Sequence, residues 1–235
     1  MNELFLLALI FCLSFGIESI FGAGGVQIAL TFSALFFDIK EMVVITAFAA
    51  LTSSILILLS DLKSLNSKIL FQILLFAIPG IFVGVFFLKN FASPILLKIF
   101  GISLILYALW TLLSLEIHIS KIFRSIIIFL GGGFTGLFGI GGPFFIVAMR
   151  ERFLNKSEMR TTLASLFLVL NVFRIFAYSQ NSLIDFEKIT PYWWIIFPMI
   201  GTMFLGYHIH LKISERAFQR GISILLGLAG ISFLF

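Results

Sequence analysis

Charge is what this sequence has least of. Of its 235 residues only 11% are Asp, Glu, Lys or Arg, against 60% that are apolar. A soluble domain carries about 25% charged residues. A mean hydropathy of +1.16 cannot be hidden inside a chain of this length, because too little of a small fold is interior. Soluble enzymes, nucleic-acid-binding modules and disordered chains are thereby excluded. Cysteine is nearly absent as well. The single Cys12 rules out an internal disulfide, a Cys-rich zinc site and an iron–sulfur cluster, and it reads as a small buried hydrophobe in an apolar run. Histidine is limited to His118, His208 and His210. All three fall in expected loops, and the His208-x-His210 spacing is not the i, i+4 helical spacing of a zinc pair. Met1-Asn2-Glu3 lacks the basic start of a cleaved signal, and no A-x-A site follows, so the first apolar stretch is expected to be retained.

What is present is a series of apolar runs, and an all-α polytopic membrane protein follows from them. A spanning helix needs about 20 mostly apolar residues. Polar loops cut the chain into Leu4–Phe37, Met42–Ser60, Ile69–Leu88, Ile99–Leu115, Ile122–Met149, Thr161–Tyr178, Tyr192–Tyr207 and Ala217–Phe235. The first and fifth runs are interrupted by glycines, at Gly22-Ala23-Gly24-Gly25 and at Gly139-Ile140-Gly141-Gly142-Pro143. Trp110, Trp193 and Trp194 fit an aromatic belt, and the 31 phenylalanines are packing and lipid-facing residues.

The chain repeats itself. Phe21-Gly22-Ala23-Gly24-Gly25 matches Phe138-Gly139-Ile140-Gly141-Gly142 at an offset of 117, which also places Gly16 on Gly133. Pro79 and Pro198 correspond at 119, and Gly101-Ile102-Ser103 matches Gly221-Ile222-Ser223 at 120. A first repeat over 1–115, a linker over 116–121 and a second repeat over 122–235 follow, each with a broken segment and three spans. Leu4–Phe37 would be roughly 50 Å long as one helix, too long for an upright crossing. Two arms meeting at the glycines, entering and leaving on one face, fit the length. Loops 61–68, 116–124, 150–160 and 208–220 then share a face with Lys63, Lys68, Lys121, Arg124, Arg150, Arg152, Lys156, Arg160, Lys212, Arg216 and Arg220. The other face has Lys40, Lys89, Lys98 and Lys188, a balance of 11 to 4. The positive-inside rule makes the first face cytoplasmic, with both termini outside, in a bacterial inner membrane. Three full crossings per half make the repeats inverted. If each broken segment is instead a single kinked span, only Lys40 changes side, and the repeats are parallel.

Interrupted helices at membrane depth leave backbone amides that must be met by protein or by a wet cavity. The amides and positive end of a helix restarting after a break form an anion site without a cationic side chain. Such breaks in paired repeats are a feature of secondary transporters. The competing reading is close helix packing through small residues. No Lys-Ser/Thr pair follows either cluster, which argues against a nucleotide-phosphate loop.

On these residues the sequence resembles the TauE/SafE-like sulfite exporters. The resemblance rests on Phe21–Gly25, on Gly136-Leu137-Phe138-Gly139-Ile140-Gly141-Gly142-Pro143, on the hydroxyl-rich stretches Thr46–Ser54 and Thr161-Thr162-Leu163-Ala164-Ser165, and on Asn171-Val172-Phe173-Arg174. Val26 and Gln27 stand where the family pattern has a third small residue and an aliphatic run. The resemblance implies a secondary-active permease for sulfite, organosulfonates or related small anions, and a coupling ion such as a proton.

The expected anion site lies between the two breaks near the midplane. It comprises Gly22, Gly24, Gly25, Gln27, Thr52, Ser53, Gly139, Gly141, Gly142, Pro143, Asn171 and Arg174. Glu18, four residues before Gly22, is the proton-coupling candidate. Buried there, its carboxyl would be disfavoured as an anion. Arg174 could grip an oxyanion through paired N–H bonds or snorkel to the headgroups. The hydroxyls could meet substrate or bond back to their own helices. No metal, cofactor or enzymatic activity is expected. The expected partners are a small anionic substrate, a coupling proton, the lipid bilayer and a second copy of the chain in a homodimer, and not nucleic acid. Two alternatives stay open: an anion channel, and a permease for carboxylates or other anionic metabolites.

Overall fold

The computed structural model describes residues 3–21, 24–60, 65–113, 120–149, 152–153, 156–208 and 215–235. Every regular element among them is a helix. In chain order they are α1 (Glu3–Phe21), α2 (Gly25–Ser33), α3 (Ile39–Ser60), α4 (Ser67–Asn90), α5 (Ser93–Leu113), α6 (Lys121–Phe138), α7 (Gly142–Met149), α8 (Lys156–Gln180), the short α9 (Phe186–Ile189), α10 (Ile196–His208) and α11 (Glu215–Ser232). Six stretches are long and apolar enough to cross a membrane: Glu3–Phe21, Ile39–Leu59, Ser67–Asn90, Ser93–Leu113, Thr161–Gln180 and Phe186–His208. The chain is thus a multi-pass integral membrane protein. The apolar part of α6, Ile122–Phe138, is shorter, and α11 opens with Glu215, Arg216 and Arg220.

Local chemistry sets the helix starts. Asp38 Oδ1 accepts the Lys40 N–H at 2.9 Å at the head of α3. Asn66 Oδ1 accepts the Ile69 N–H at 3.0 Å at the head of α4, and Asp185 Oδ1 accepts the Glu187 N–H at 3.1 Å before α9. Each carboxylate or amide satisfies a first-turn donor that has no intrahelical partner. The helix expected from Tyr192 instead begins at Ile196, after a 3₁₀ turn over Thr190–Ile195. Pro191 brings no N–H to that turn, and 3₁₀ geometry is frequent at helix starts.

Helix faces are divided as a lipid solvent requires. On α5, Leu96, Phe100, Leu104 and Ala108 are buried, while Ile102, Leu106, Leu109 and Leu113 are exposed. Both faces are apolar, so the exposed one suits acyl chains rather than water.

The described chain forms two compact units, and each draws on both halves of the sequence. One comprises Met1–Met42, Phe91–Glu116 and Thr190–Phe235; the other comprises Val43–Asn90 and Ile117–Ile189. In the first, α1 packs on α10 and α5 on α11. Ser19 Oγ donates to the Met203 carbonyl at 2.6 Å, and Thr202 Oγ1 lies between the Met199 carbonyl of its own helix at 2.9 Å and the Cys12 carbonyl of α1 at 3.0 Å, sharing one proton between them. In the second, α4 packs on α6 and α8. The α4–α6 crossing brings backbone onto backbone. A Cβ at Gly80, Gly84, Gly132 or Gly136 would overlap the carbonyl of Phe129, Gly133, Ala77 or Ile81 respectively. Such proximity is how helices associate where no hydrophobic effect drives them together.

Candidate functional site

The predicted site residues fall into two groups, one in each unit. Glu18, Gly24, Gly25 and Gln27 belong to the first. Thr52, Ser53, Gly139, Gly141, Gly142, Pro143, Asn171 and Arg174 belong to the second. Gly22 lies outside the described residues, as do His118 and His210.

In the second unit, α6 ends at Gly139, whose φ of +79° is left-handed backbone that glycine adopts without strain. Its N–H donates to the Thr135 carbonyl at 2.9 Å, which closes the last turn. The chain then doubles back: Phe144 of α7 stacks on Phe134 of α6 at 4.9 Å between ring centroids. Gly141 lies against the Thr135 hydroxyl and the Gly131 carbonyl, so closely that no Cβ fits there. The first α7 bond runs from the Phe145 N–H to the Gly141 carbonyl at 3.2 Å. The N–H groups of Gly142 and Phe144 are the donors of that first turn, because Pro143 has none.

One face of α8 lies along this reversal. Phe167 packs against Phe145 at 6.1 Å between centroids and borders Gly142. Eleven residues on, Tyr178 Oη donates to the Gly136 carbonyl at 2.8 Å. Asn171 and Arg174 lie between those two contacts, at i+4 and i+7 from Phe167, and so on the same face. Arg174 is 0% exposed. It does not snorkel, because protein closes over it on every side. Its Nε donates to Tyr178 Oη at 2.6 Å. One terminal nitrogen, Nη2, donates to the Val43 carbonyl of α3 at 3.0 Å. The other, Nη1, has no hydrogen-bond partner among the described residues. Asn171 is 4% exposed. A buried donor left as Nη1 is left is costly, and an acceptor brought by a ligand relieves it.

In the first unit, Gly24 precedes α2 with φ +102°. The Ile28 N–H donates to the Gly24 carbonyl at 2.9 Å, and no side chain caps the helix. The Glu18 side chain packs on the α-carbon of Gly25, where any Cβ would collide with it. A carboxyl thus stands at the first turn of α2. In the second unit the Thr135 hydroxyl stands against a glycine of the reversal, Gly141. Gln27 is buried.

The hydroxyls divide. Thr52 Oγ1 donates to the Phe48 carbonyl at 3.0 Å, Ser54 to Ala50 at 2.8 Å and Ser165 to Thr161 at 2.9 Å. A hydroxyl has one proton, so in this geometry these three offer an anion no donor. Two residues of the site escape sequence reasoning. They are Tyr178, which sequence reasoning meets only as the end of a span, and Thr135, which it does not single out. The i, i+4 spacing of Tyr178 from Arg174 is the one signal that could have singled it out.

A helical membrane protein with a buried guanidinium beside a chain reversal has the anatomy of a carrier for something polar. A family model described as "Sulfite exporter TauE/SafE" matches residues 6–233, and the chain belongs to that family. It is accordingly a membrane transporter, in a family of exporters rather than enzymes, and a small anion such as sulfite is the cargo the family implies. No curated protein and no solved structure matches the chain.

Proposed function

We propose that the protein is a secondary-active carrier of sulfite, organosulfonates or similar small anions, with the anion held at the glycine breaks. The observation that carries this reading is Arg174, wholly buried on the α8 face whose Phe167 borders Gly142, with Nη1 unpartnered among the described residues. The anion would be met by that nitrogen, by the Asn171 amide and by the first-turn N–H groups of α7. Gly24, Gly25 and Gln27 would play the corresponding part at the other break. The placing of both breaks in one midplane site rests on the repeat in the sequence. The repeats 1–115 and 122–235 would be inverted, as the length of the first broken segment favours, and paired packing supports the duplication itself: α4 on α6 in one unit, and α10 on α1 in the other. The basic loops would be cytoplasmic, both termini outside and the membrane the bacterial inner one. Glu18 would carry the coupling proton, its carboxyl being set at the first turn of α2.

The test is uptake of labelled sulfite into proteoliposomes under an imposed pH gradient. Saturable uptake is expected, lost in Arg174→Ala and Gly141→Leu. Asn171→Leu is the mildest variant, since it removes a neutral amide and keeps the size of the side chain. It should remain folded and bind the anion more weakly. Wild-type transport and binding in all three would remove the site. Glu18→Gln should abolish the response to the pH gradient, and full pH-driven transport in that variant would end its assignment. Single-channel currents in planar bilayers would replace the carrier by a channel.

A further inference from the structure

The guanidinium of Arg174 is not free to receive any anion. It has two forks of parallel N–H bonds, one on the Nε side and one at the tip between its terminal nitrogens. The Nε side is closed by protein: Nε donates to Tyr178 Oη and Nη2 to the Val43 carbonyl. Tyr178 is in turn held by the Gly136 carbonyl, so the group cannot rotate to present that fork. The tip remains, with Nη1 sealed from solvent and unpartnered among the described residues. The two other polar side chains of the described site, Asn171 and Thr135, are neutral. Asn171 is an amide, and Thr135 has committed its proton to the Gly131 carbonyl at 2.8 Å. Tyr178 Oη both donates and accepts within the protein.

Resting on the anion-carrier reading, we propose that this site selects by charge: it takes a monoanion, presenting one oxygen edge to the tip of Arg174, and rejects a dianion of the same shape. The reason is a difference in scaling. The cost of stripping water from an ion rises as the square of its charge, whereas attraction to a single fixed cation rises only in proportion. Doubling the charge therefore quadruples the cost and doubles the gain. The partial positive end of an eight-residue helix such as α7 adds about half a charge at most, which does not offset the fourfold term. Hydrogensulfite and singly charged sulfonates fit this class. Sulfate and doubly charged sulfite do not. Tyr178 is the positioning residue: it makes the tip, rather than the side, the presented edge.

Methanesulfonate and sulfate make a matched pair, both tetrahedral and differing by one charge. Their binding to the purified full-length protein in detergent would be measured by ligand-dependent thermal stabilisation, at equal ionic strength in a chloride-free buffer. Methanesulfonate is expected to bind at least tenfold more tightly than sulfate. Tyr178→Phe should lower methanesulfonate affinity severalfold and narrow that ratio, which a merely structural tyrosine would not do. Sulfate binding as tightly as methanesulfonate, or more tightly, overturns charge selection and leaves the anion site standing. Binding of neither by the wild-type protein overturns the anion-carrier reading, and charge selection with it. The comparison needs no variant, so it holds even if Tyr178→Phe fails to fold.

Discussion

Arg174 joins three helices through one planar group. It sits on α8, reaches the Val43 carbonyl of α3 and, through Tyr178, the Gly136 carbonyl of α6. Removing the tyrosine hydroxyl leaves a charged donor and a carbonyl unmet inside protein. Each such loss costs about 1–3 kcal/mol. Tyr178→Phe is therefore expected to lower the thermal unfolding temperature in detergent measurably, while Tyr207→Phe, on an exposed residue, should not change it. Arg174 and Asn171 were legible in the sequence because an ion or an amide inside an apolar span is expensive enough to demand a reason. Tyr178 was not, since a tyrosine near a span end has a cheaper explanation in the headgroup layer. That Arg174 is enclosed rather than snorkelling was also invisible, because enclosure depends on α3 and α6, which are distant in sequence. The hydroxyls of Thr52 and Ser54 were ambiguous for the opposite reason: their partners, one turn back, are available in any helix.

At the scale of elements, the α4–α6 crossing separates glycines that are needed from glycines that are tolerated. Gly132 lies on the Ala77 carbonyl, whereas nothing stands within 4 Å of a Cβ added at Gly221. Gly132→Ala should force the helices apart and cost about 1–3 kcal/mol. Gly221→Ala relieves the backbone entropy of a helical glycine and should stabilise by about 0.5–1 kcal/mol. Thermal unfolding of the two variants beside wild type reads both signs at once, and equal behaviour would refute the distinction. The sequence does not separate these residues, since glycine is common in membrane helices whatever its use. The ends of α1 and α6 were legible, because glycine clusters interrupt otherwise continuous apolar runs. The 3₁₀ turn before α10 was not. Pro191 suits the first turn of an α-helix as well as a 3₁₀ start, and Tyr192-Trp193-Trp194 continues the apolar run.

For the whole molecule, composition alone was enough to place the chain in a membrane. Sidedness can be read from the loops. With Cys12 replaced by serine, a single cysteine in the turn around Phe91–Ala92 should react with a membrane-impermeant maleimide on intact cells. One at Arg152 should react only after permeabilisation. The reverse pattern would invert the assignment of the basic loops to the cytoplasm. How the helices pair was not legible, because small residues permit close approach without naming a partner. The pairing of α1 with α10 bears on how the protein is made. About 175 residues separate the end of α1 from the start of α10, and chains elongate at about 5–20 residues per second. Helix α1 therefore waits roughly 10–35 s for α10, with Ser19 lacking its Met203 partner meanwhile. Until α10 is made, α1 lacks the neighbour it packs on, and a chain truncated before residue 196 would leave it so indefinitely.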